Sequence, residues 1–307
     1  MPAASIRASF AALYDRLYSG SSQSRLEHIV MDTSVAGFAA HLLLILAART
    51  LAHPSTLLAA VGRNYLSAIY TPFSVILFYE VLMLIAALPQ STTQSIAKQY
   101  EIVSLIFIRR FFKDIAELDD IGKLAQLSPD VLPVFFDVLA GLFMFLLVTV
   151  FLHAARRRFL PDTTPEESPE LKKFIARKKT IAVALTILLV SLAAYSLWDF
   201  GYDVSQVLYH GAKARLDPNT FFYTQVFSVM IFTDVLIVIL SLAVSDRYEL
   251  VFRNGAFVIS TILIRFSLTV ARPFAAELAV GGMIFGILTL VVYNYHTRIR
   301  MPERQPA

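Results

Sequence analysis

Two acidic residues occupy the same place in two copies of one apolar stretch. Residues 73–88 read FSVILFYEVLMLIAAL and residues 227–242 read FSVMIFTDVLIVILSL, and eight of the 16 positions are identical. The only acid in each copy is Glu80 or Asp234. A carboxylate in the middle of an apolar helix can bind a cation, carry a proton or pair with a basic side chain. These two residues are therefore the first candidates for a functional site.

The next apolar stretch of each copy carries a serine and an arginine at matching positions. Residues 102–109 read IVSLIFIR and residues 258–265 read VISTILIR, which aligns Ser104 with Ser260 and Arg109 with Arg265. An ionised side chain at the centre of a membrane helix costs about 2.5–3.5 kcal/mol on insertion scales. Because pairing or a polar cavity relieves that cost, we expect each arginine to face the acid of its own copy or a polar path.

Two hypotheses for these six residues follow. In the first, the acids are ion or proton sites, the arginines are counter-charges or anion contacts, and the serines add hydroxyl groups to the same site. That hypothesis predicts a transporter or channel for a small ion or solute, with its path at the interface between the copies. In the second, the charges are structural ion pairs in a membrane scaffold or sensor that transports nothing.

Enzymatic chemistry has little support in the sequence. The absence of cysteine excludes thiolate zinc sites, iron–sulfur clusters and cysteine nucleophiles. Residues 265–273, RFSLTVARP, resemble the basic-x6-Arg-Pro opening of membrane lipid phosphatases, but the Pro-Ser-Gly-His element and distal histidine of that family do not follow. Neither an HExxH motif nor a serine in a glycine turn is present. We expect no enzyme, no metal and no cofactor.

The composition places the charged stretches in a membrane. Hydrophobic residues make up 57% of the 307 residues and charged residues 16%, and the mean hydropathy is +0.63. A soluble chain this apolar could not cover its surface with polar groups, whereas a bilayer accepts apolar side chains. The expected fold is an all-α polytopic membrane bundle whose main partner is lipid. The net charge of +4 is spread over segment ends, so nucleic acid is not an expected partner.

Eight segments are long and apolar enough to cross a bilayer, since a spanning helix needs about 20 mostly apolar residues. The third and seventh contain arginine and are predicted to span because of the internal similarity. The eight segments are residues 34–52, 66–88, 99–118, 131–154, 179–198, 220–244, 255–273 and 275–297.

The internal similarity predicts two tandem four-helix repeats. Four spans per copy is an even number, so both copies must run the same way through the bilayer, as parallel repeats do. The predicted organisation is an amphipathic N-terminal segment, a first repeat, a linker, a second repeat and a tail. These parts are residues 1–33, 34–158, 159–178, 179–300 and 301–307.

Basic residues set the expected orientation. Lysines and arginines gather near the N-terminus, around the linker and at the C-terminus, and the positive-inside rule makes all three regions cytoplasmic. We expect a multi-pass protein of the cell (inner) membrane. No cleavable signal peptide is expected, since the first apolar run begins only near Ser34. Gly282 and Gly286 form a GxxxG motif that predicts close helix packing or the dimer face of a homo-oligomer.

Three further features have two interpretations each. The N-terminal stripe of Ile6, Phe10, Leu13 and Leu17 suits either the membrane surface or packing on the protein's own segments. His41 is expected to be hydrogen-bonded rather than a proton relay. Charged or polar residues that continue from each arginine at helical spacing are expected to face the bundle interior. These are Lys113, Glu117 and Asp120 in the first copy, and Thr269 and Arg272 in the second.

Overall fold

The computed structural model describes residues 2–51, 58, 64–117, 132–156, 169–210, 219–242, 248–270 and 274–300. Across these ranges the chain is helical, which confirms the predicted all-α class. The described residues form nine helices, which are α1 (Pro2–Leu17), α2 (Gly20–Thr50), α3 (Ser67–Ala87), α4 (Thr92–Glu117), α5 (Leu132–Arg156), α6 (Pro169–His210), α7 (Asn219–Leu242), α8 (Tyr248–Thr269) and α9 (Phe274–Arg300).

Six of these helices are long and apolar enough to cross a membrane. The six candidate spans are in α2, α3, α5, α6, α8 and α9. Large apolar side chains on these helices face outward, including Leu142, Leu197 and Ile284. Lipid accepts such side chains at no cost, whereas water would not. The chain is therefore a multi-pass helical membrane protein.

The third and sixth predicted spans are not among the six candidates. Residues 99–117 fall in α4, whose charged side chains keep it below the hydropathy of a spanning helix. Residues 220–242 fall in α7, where the apolar run Ser228–Ile237 is bounded on both sides by positions whose side chains are not described. A hydropathy average counts every side chain of a helix as if it faced lipid. Other helices cover α4, so many of its side chains do not face lipid. Its Tyr100 and Phe107 are completely buried.

Two helices begin earlier than the apolar pattern predicts. Helix α2 starts at Gly20, where the side chain of Ser19 caps it by accepting a hydrogen bond of 3.3 Å from the Ser22 amide. Helix α6 starts at Pro169, within the predicted linker. Proline suits the first turn of a helix because backbone N–H groups in that turn have no partner within the helix, so the N–H that proline lacks is not missed. Polar N-terminal extensions therefore lengthen both helices beyond their apolar parts.

The helices pack in chain order within each half of the chain. Helix α3 contacts α2 and α4, and α4 contacts α5; likewise, α7 contacts α6 and α8, and α8 contacts α9. The hydrophobic core is shared between the halves in two clusters. One joins α3 and α4 to α6 and α7, and the other joins α4 and α5 to α8 and α9. Helix α4 belongs to both clusters, which makes it the central element.

Helix α1 packs on the protein's own helices through its tyrosines. Tyr14 donates a hydrogen bond of 2.5 Å to the carbonyl of Ala86 in α3. The Tyr18 hydroxyl lies 2.6 Å from Thr186 Oγ1 in α6. Asp15 pairs with Lys179, also in α6, at 2.6 Å. Tyr14, Asp15 and Tyr18 thus join α1 to both halves, whereas Leu13 and Leu17 of the apolar stripe are exposed.

Candidate functional site

The first predicted pair is a closed ion pair between α3 and α4. Arg109 donates from Nη1 to Glu80 Oε2 and from Nη2 to Glu80 Oε1, so both carboxylate oxygens are used. Both side chains are mostly buried, with 15% of the Arg109 side chain and 9% of the Glu80 side chain exposed. A two-pronged arginine–carboxylate contact fixes the relative position of two helices. Its polar atoms face each other, which leaves the pair few acceptors or donors for a third molecule.

The turn before α4 explains part of this geometry. Pro89 ends the apolar run of α3, and Ser91 caps α4 by accepting a hydrogen bond of 3.4 Å from the Gln94 amide and donating one of 2.9 Å to its side chain. The Ser-x-x-Gln spacing is that of a capping box, but Gln94 accepts from the Ser91 hydroxyl instead of the Ser91 amide. The short turn makes α3 and α4 neighbours.

The second predicted pair, between α7 and α8, has a more open arrangement. Arg265 Nη2 lies 2.8 Å from Asp234 Oδ2, and both side chains are buried. This contact is an ion pair whose N–H group does not have strict hydrogen-bond geometry, and among the described residues Arg265 Nε and Nη1 have no hydrogen-bond partner. Arg265 Nη2 instead donates to Gln99 Oε1 at 3.2 Å, across the two halves. A buried polar atom without a partner costs about 1–3 kcal/mol, so this pair has unused capacity for hydrogen bonds.

A small cavity adjoins Asp234. It measures about 40 Å³, and one water needs about 10–15 Å³ on the same measure, so a few atoms fit. Polar side chains and apolar ones both form its wall. The lining residues are Leu88, Thr92, Ser95, Ile96, Gln99, Lys178, Asp234, Ile237, Phe257, Val258 and Thr261.

Lys178 brings a second cation to this cavity. Only 4% of the residue is exposed, and its Nζ donates to the carbonyl of Gln90 at 2.7 Å. Lys178 and Thr261 are polar neighbours of the Asp234 carboxylate. Together with Arg265, the site therefore holds two basic side chains for one acidic side chain, whereas the Glu80 pair has one of each.

The aligned serines have different partners. Ser104 donates to the carbonyl of Glu101 in its own helix at 2.7 Å. Ser260 lies 2.6 Å from the Tyr100 hydroxyl and donates to the carbonyl of Gly282 at 2.6 Å. Neither serine reaches an acid–arginine pair through these contacts. Ser260 holds α8 to α4 and α9, and Ser104 bonds within α4.

The GxxxG motif packs inside the chain. A methyl group at Gly282 would lie 3.1 Å from the Ser260 carbonyl oxygen, and one at Gly286 would collide with the Tyr100 hydroxyl and lie 2.9 Å from Ser260 Oγ. Close packing is therefore what these two glycines permit.

His41 Nδ1 lies 2.6 Å from Thr71 Oγ1, as expected for a hydrogen-bonded histidine.

Some sequence predictions fall outside what the structure describes. Asp120 and Arg272 lie in such parts of the chain, and the side chains of Lys113 and Glu117 are not described. In the second copy, Thr269 is exposed and donates to its own helix, to the carbonyl of Phe266, at 3.0 Å. The polar face predicted to follow Arg265 into the interior therefore ends before Thr269.

Three residues of the Asp234 site were not predicted from the sequence, namely Gln99, Lys178 and Thr261. Gln99 and Thr261 are ordinary polar residues of amphipathic helices, and no feature of the pattern separates them from surface residues. Lys178 is one of several basic residues at the start of α6, which the positive-inside rule explains without a site. Comparison with known proteins adds no further residue: no family model, no curated protein and no solved structure matches this chain.

Proposed function

We propose that this chain is a membrane transporter or channel for a small ion or polar solute, and that the cavity at Asp234 and Arg265 is on its path. The observation that carries the proposal is the difference between two pairs at matching sequence positions. Glu80 and Arg109 satisfy each other, whereas Asp234 and Arg265 keep buried polar atoms without hydrogen bonds beside a cavity. Unused polar capacity at membrane depth is typical of binding sites for ions and solutes.

The site lies where a solute could enter. Lys178 is in the basic first part of α6, and Leu88 and Thr92 flank the short turn between α3 and α4. By the positive-inside rule, that end of the bundle faces the cytoplasm, together with both termini. We propose the cell membrane as the location, with solute entering the cavity from the cytoplasmic face.

We further propose two parallel four-helix repeats, and three observations support them. Arg109 lies 17 positions after the start of α4, and Arg265 lies 17 positions after the start of α8. Each pairs with an acid of the preceding helix. In the following helix, Gly141 and Gly282 approach equivalent carbonyls: a methyl group there would lie 3.4 Å from the Ser104 oxygen or 3.1 Å from the Ser260 oxygen. Eight spans, with α4 and α7 among them, fit that arrangement.

One observation favours the second candidate, a scaffold without transport. The contact of Glu80 with Arg109 joins two neighbouring helices and uses both carboxylate oxygens, as a structural pair would. We therefore assign this pair to holding α3 and α4 in register, and reserve binding for the second pair. Of the predicted binding residues, Ser104 and Ser260 contribute helix packing in this proposal. No catalysis, metal or cofactor enters it.

Vesicle swelling tests the proposal for any small ion, whichever one the protein carries. The protein is reconstituted into vesicles that are then placed in potassium salts. In the anion arm, valinomycin lets potassium cross the membrane, so the rate of swelling measures anion entry through the protein. In the cation arm, thiocyanate crosses the membrane without a carrier, so the rate of swelling measures cation entry. We expect faster swelling than in protein-free vesicles in one arm, and loss of that increase in Asp234→Asn. A folded Asp234→Asn variant with wild-type swelling would remove the Asp234 cavity from the path, and wild type equal to empty vesicles in both arms would reject ion transport.

A further inference from the structure

We infer that the Asp234 cavity binds a small monovalent anion, either an inorganic ion or a short carboxylate. This inference rests on the proposed function, because it names the class of solute that the same site takes. It follows from three properties of the cavity: its charge, its hydrogen-bonding groups and its size.

The charge of the site favours an anion. Among the described residues that line the cavity, Asp234 is the only acid and Lys178 the only cation, and Arg265 contacts Asp234. With all three ionised, two positive charges stand against one negative charge. Buried charges are tolerated when they are balanced, and a monovalent anion would bring this site to neutrality. A cation would add a third positive charge to a buried site.

The hydrogen-bonding groups point the same way. Arg265 contacts Asp234 but does not line the cavity itself, and its donor atoms Nε and Nη1 are buried without a hydrogen-bond partner among the described residues. Thr92, Ser95 and Thr261 add hydroxyl groups to the wall. Against these donors, Asp234 Oδ2 is the acceptor atom without a hydrogen bond. Oxyanions and halides accept hydrogen bonds from such groups, and guanidinium is well suited to anion recognition.

The size of the cavity limits the ligand to a few atoms. A volume of about 40 Å³ is roughly three to four times what a single water needs. Chloride, nitrate and formate suit such a site, whereas gluconate does not. The Glu80 pair serves as an internal comparison, since it has one cation and one acid that bind each other. The inference therefore applies to the second half of the chain only.

Anion-dependent thermal unfolding of the full-length protein in detergent tests this inference. The midpoint temperature of unfolding is measured at increasing concentrations of potassium chloride, nitrate or formate. Potassium gluconate keeps the ionic strength constant. A ligand that binds the folded state raises the midpoint as its concentration exceeds the dissociation constant. We expect at least one of the three anions to do so in the wild type. Lys178→Gln should weaken the apparent affinity about tenfold or more, the usual effect of losing one charge-assisted contact.

Two variants control for general effects of charge and salt. Lys179→Gln removes the neighbouring lysine, which pairs with Asp15 outside the cavity, and should keep the wild-type anion response. Lys178→Arg keeps the positive charge and should restore most of the response lost in Lys178→Gln. If Lys178→Gln does not fold, the unfolding midpoint of the wild type still decides whether the ligand is an anion or a cation. It is compared between the three potassium salts and the corresponding rubidium and sodium salts.

The inference is overturned if the midpoint follows the cation and ignores the anion, if glycine as a zwitterion raises it while all three anions fail, or if folded Lys178→Gln binds as the wild type does. Vesicle swelling separates this failure from that of the proposed function. Swelling in the cation arm alone would support transport and overturn the inference that the cavity binds an anion. An anion response in unfolding that Lys178→Gln loses, with no swelling in either arm, would support the anion site and reject transport.

Discussion

Gln99 Oε1 accepts a hydrogen bond of 3.2 Å from Arg265 Nη2, and this contact joins the two halves of the chain at the cavity. The first half has no equivalent arrangement, because Arg109 is fully engaged by Glu80. The same Arg265 nitrogen lies 2.8 Å from Asp234 Oδ2, so Gln99 and Asp234 share it. The difference between the two pairs therefore depends on a residue outside both of them.

Gln99→Glu should weaken anion binding without unfolding the protein. Glutamate keeps an acceptor for Arg265 and adds one negative charge, which balances the charge of the site without a ligand. We expect the apparent anion affinity to fall about tenfold or more, with the unfolding midpoint in gluconate unchanged or higher. Titration of the midpoint with chloride, nitrate and formate measures both. An anion response equal to that of the wild type would mean that site charge does not select the ligand.

Gly286→Ala should destabilise the bundle strongly. The added methyl group would collide with the hydroxyl of Tyr100, which is completely buried and bonded to Ser260. Overpacking of a filled core costs about 1–3 kcal/mol. Gly281→Ala is the matched control, since nothing lies within 4 Å of a methyl group there. Alanine also favours helix by up to about 1 kcal/mol.

Thermal or denaturant unfolding of these two glycine variants, side by side, makes the measurement. The expected order of stability is Gly286→Ala below the wild type, and Gly281→Ala equal to it or above. Equal losses in both variants would indicate that helix propensity or lipid contact, not the contact with Tyr100, sets the effect.

The docking of α1 should weaken at high pH. Burial, with the nearby Tyr18 and Asp15, raises the pKa of Tyr14 from 10.0 to about 12. A group with a raised folded-state pKa stabilises the fold fully below its unfolded pKa and loses that contribution as the pH rises through the folded value. Docking should therefore weaken between pH 10 and pH 12, by about 1 kcal/mol after allowance for the partial exposure of the ring.

Hydrogen exchange of the α1 amides, corrected for the intrinsic effect of pH, measures this change. Tyr14→Phe removes the titrating group and the bond to Ala86, so α1 should exchange faster at neutral pH and respond less between pH 10 and pH 12. Tyr195→Phe, at an exposed position of α6, should behave as the wild type. The same pH response in Tyr14→Phe would assign the titration to another group.

The sequence predicted the acid–arginine pairs because the cost of burying single charges in hydrocarbon leaves few alternatives. Glu80 and Arg109, like Asp234 and Arg265, do contact each other. The pattern could not predict that the two pairs differ. That difference comes from Gln99 and Lys178, whose positions depend on how α4 and α6 pack, and no counterpart of Gln99 exists in the second half, where Gly255 aligns with it.

Hydropathy predicted the outer helices better than the central one. The exposed side chains of helices such as α5 and α9 are mostly apolar, as in helices that face lipid. Helix α4 is covered by α3, α5 and α8, so its charged residues can be satisfied by protein. Arg110, for example, donates to the carbonyls of Ser267 and Leu268 at the end of α8. An amphipathic helix of this kind is recognisable from its periodicity, but its partners are not.

The most direct test of the different roles of the two acids compares Glu80→Gln with Asp234→Asn in one preparation, by unfolding and by vesicle swelling per folded protein. Breaking the closed pair should cost about 3 kcal/mol, as loss of one partner of a buried pair does, while the folded fraction of Glu80→Gln still swells at the wild-type rate. Asp234→Asn leaves the buried Arg265 without its acid and should lose a similar amount of stability, but its folded fraction should lose the protein-dependent swelling. The opposite result, with wild-type swelling in the folded fraction of Asp234→Asn and lost swelling in that of Glu80→Gln, would contradict the assignment.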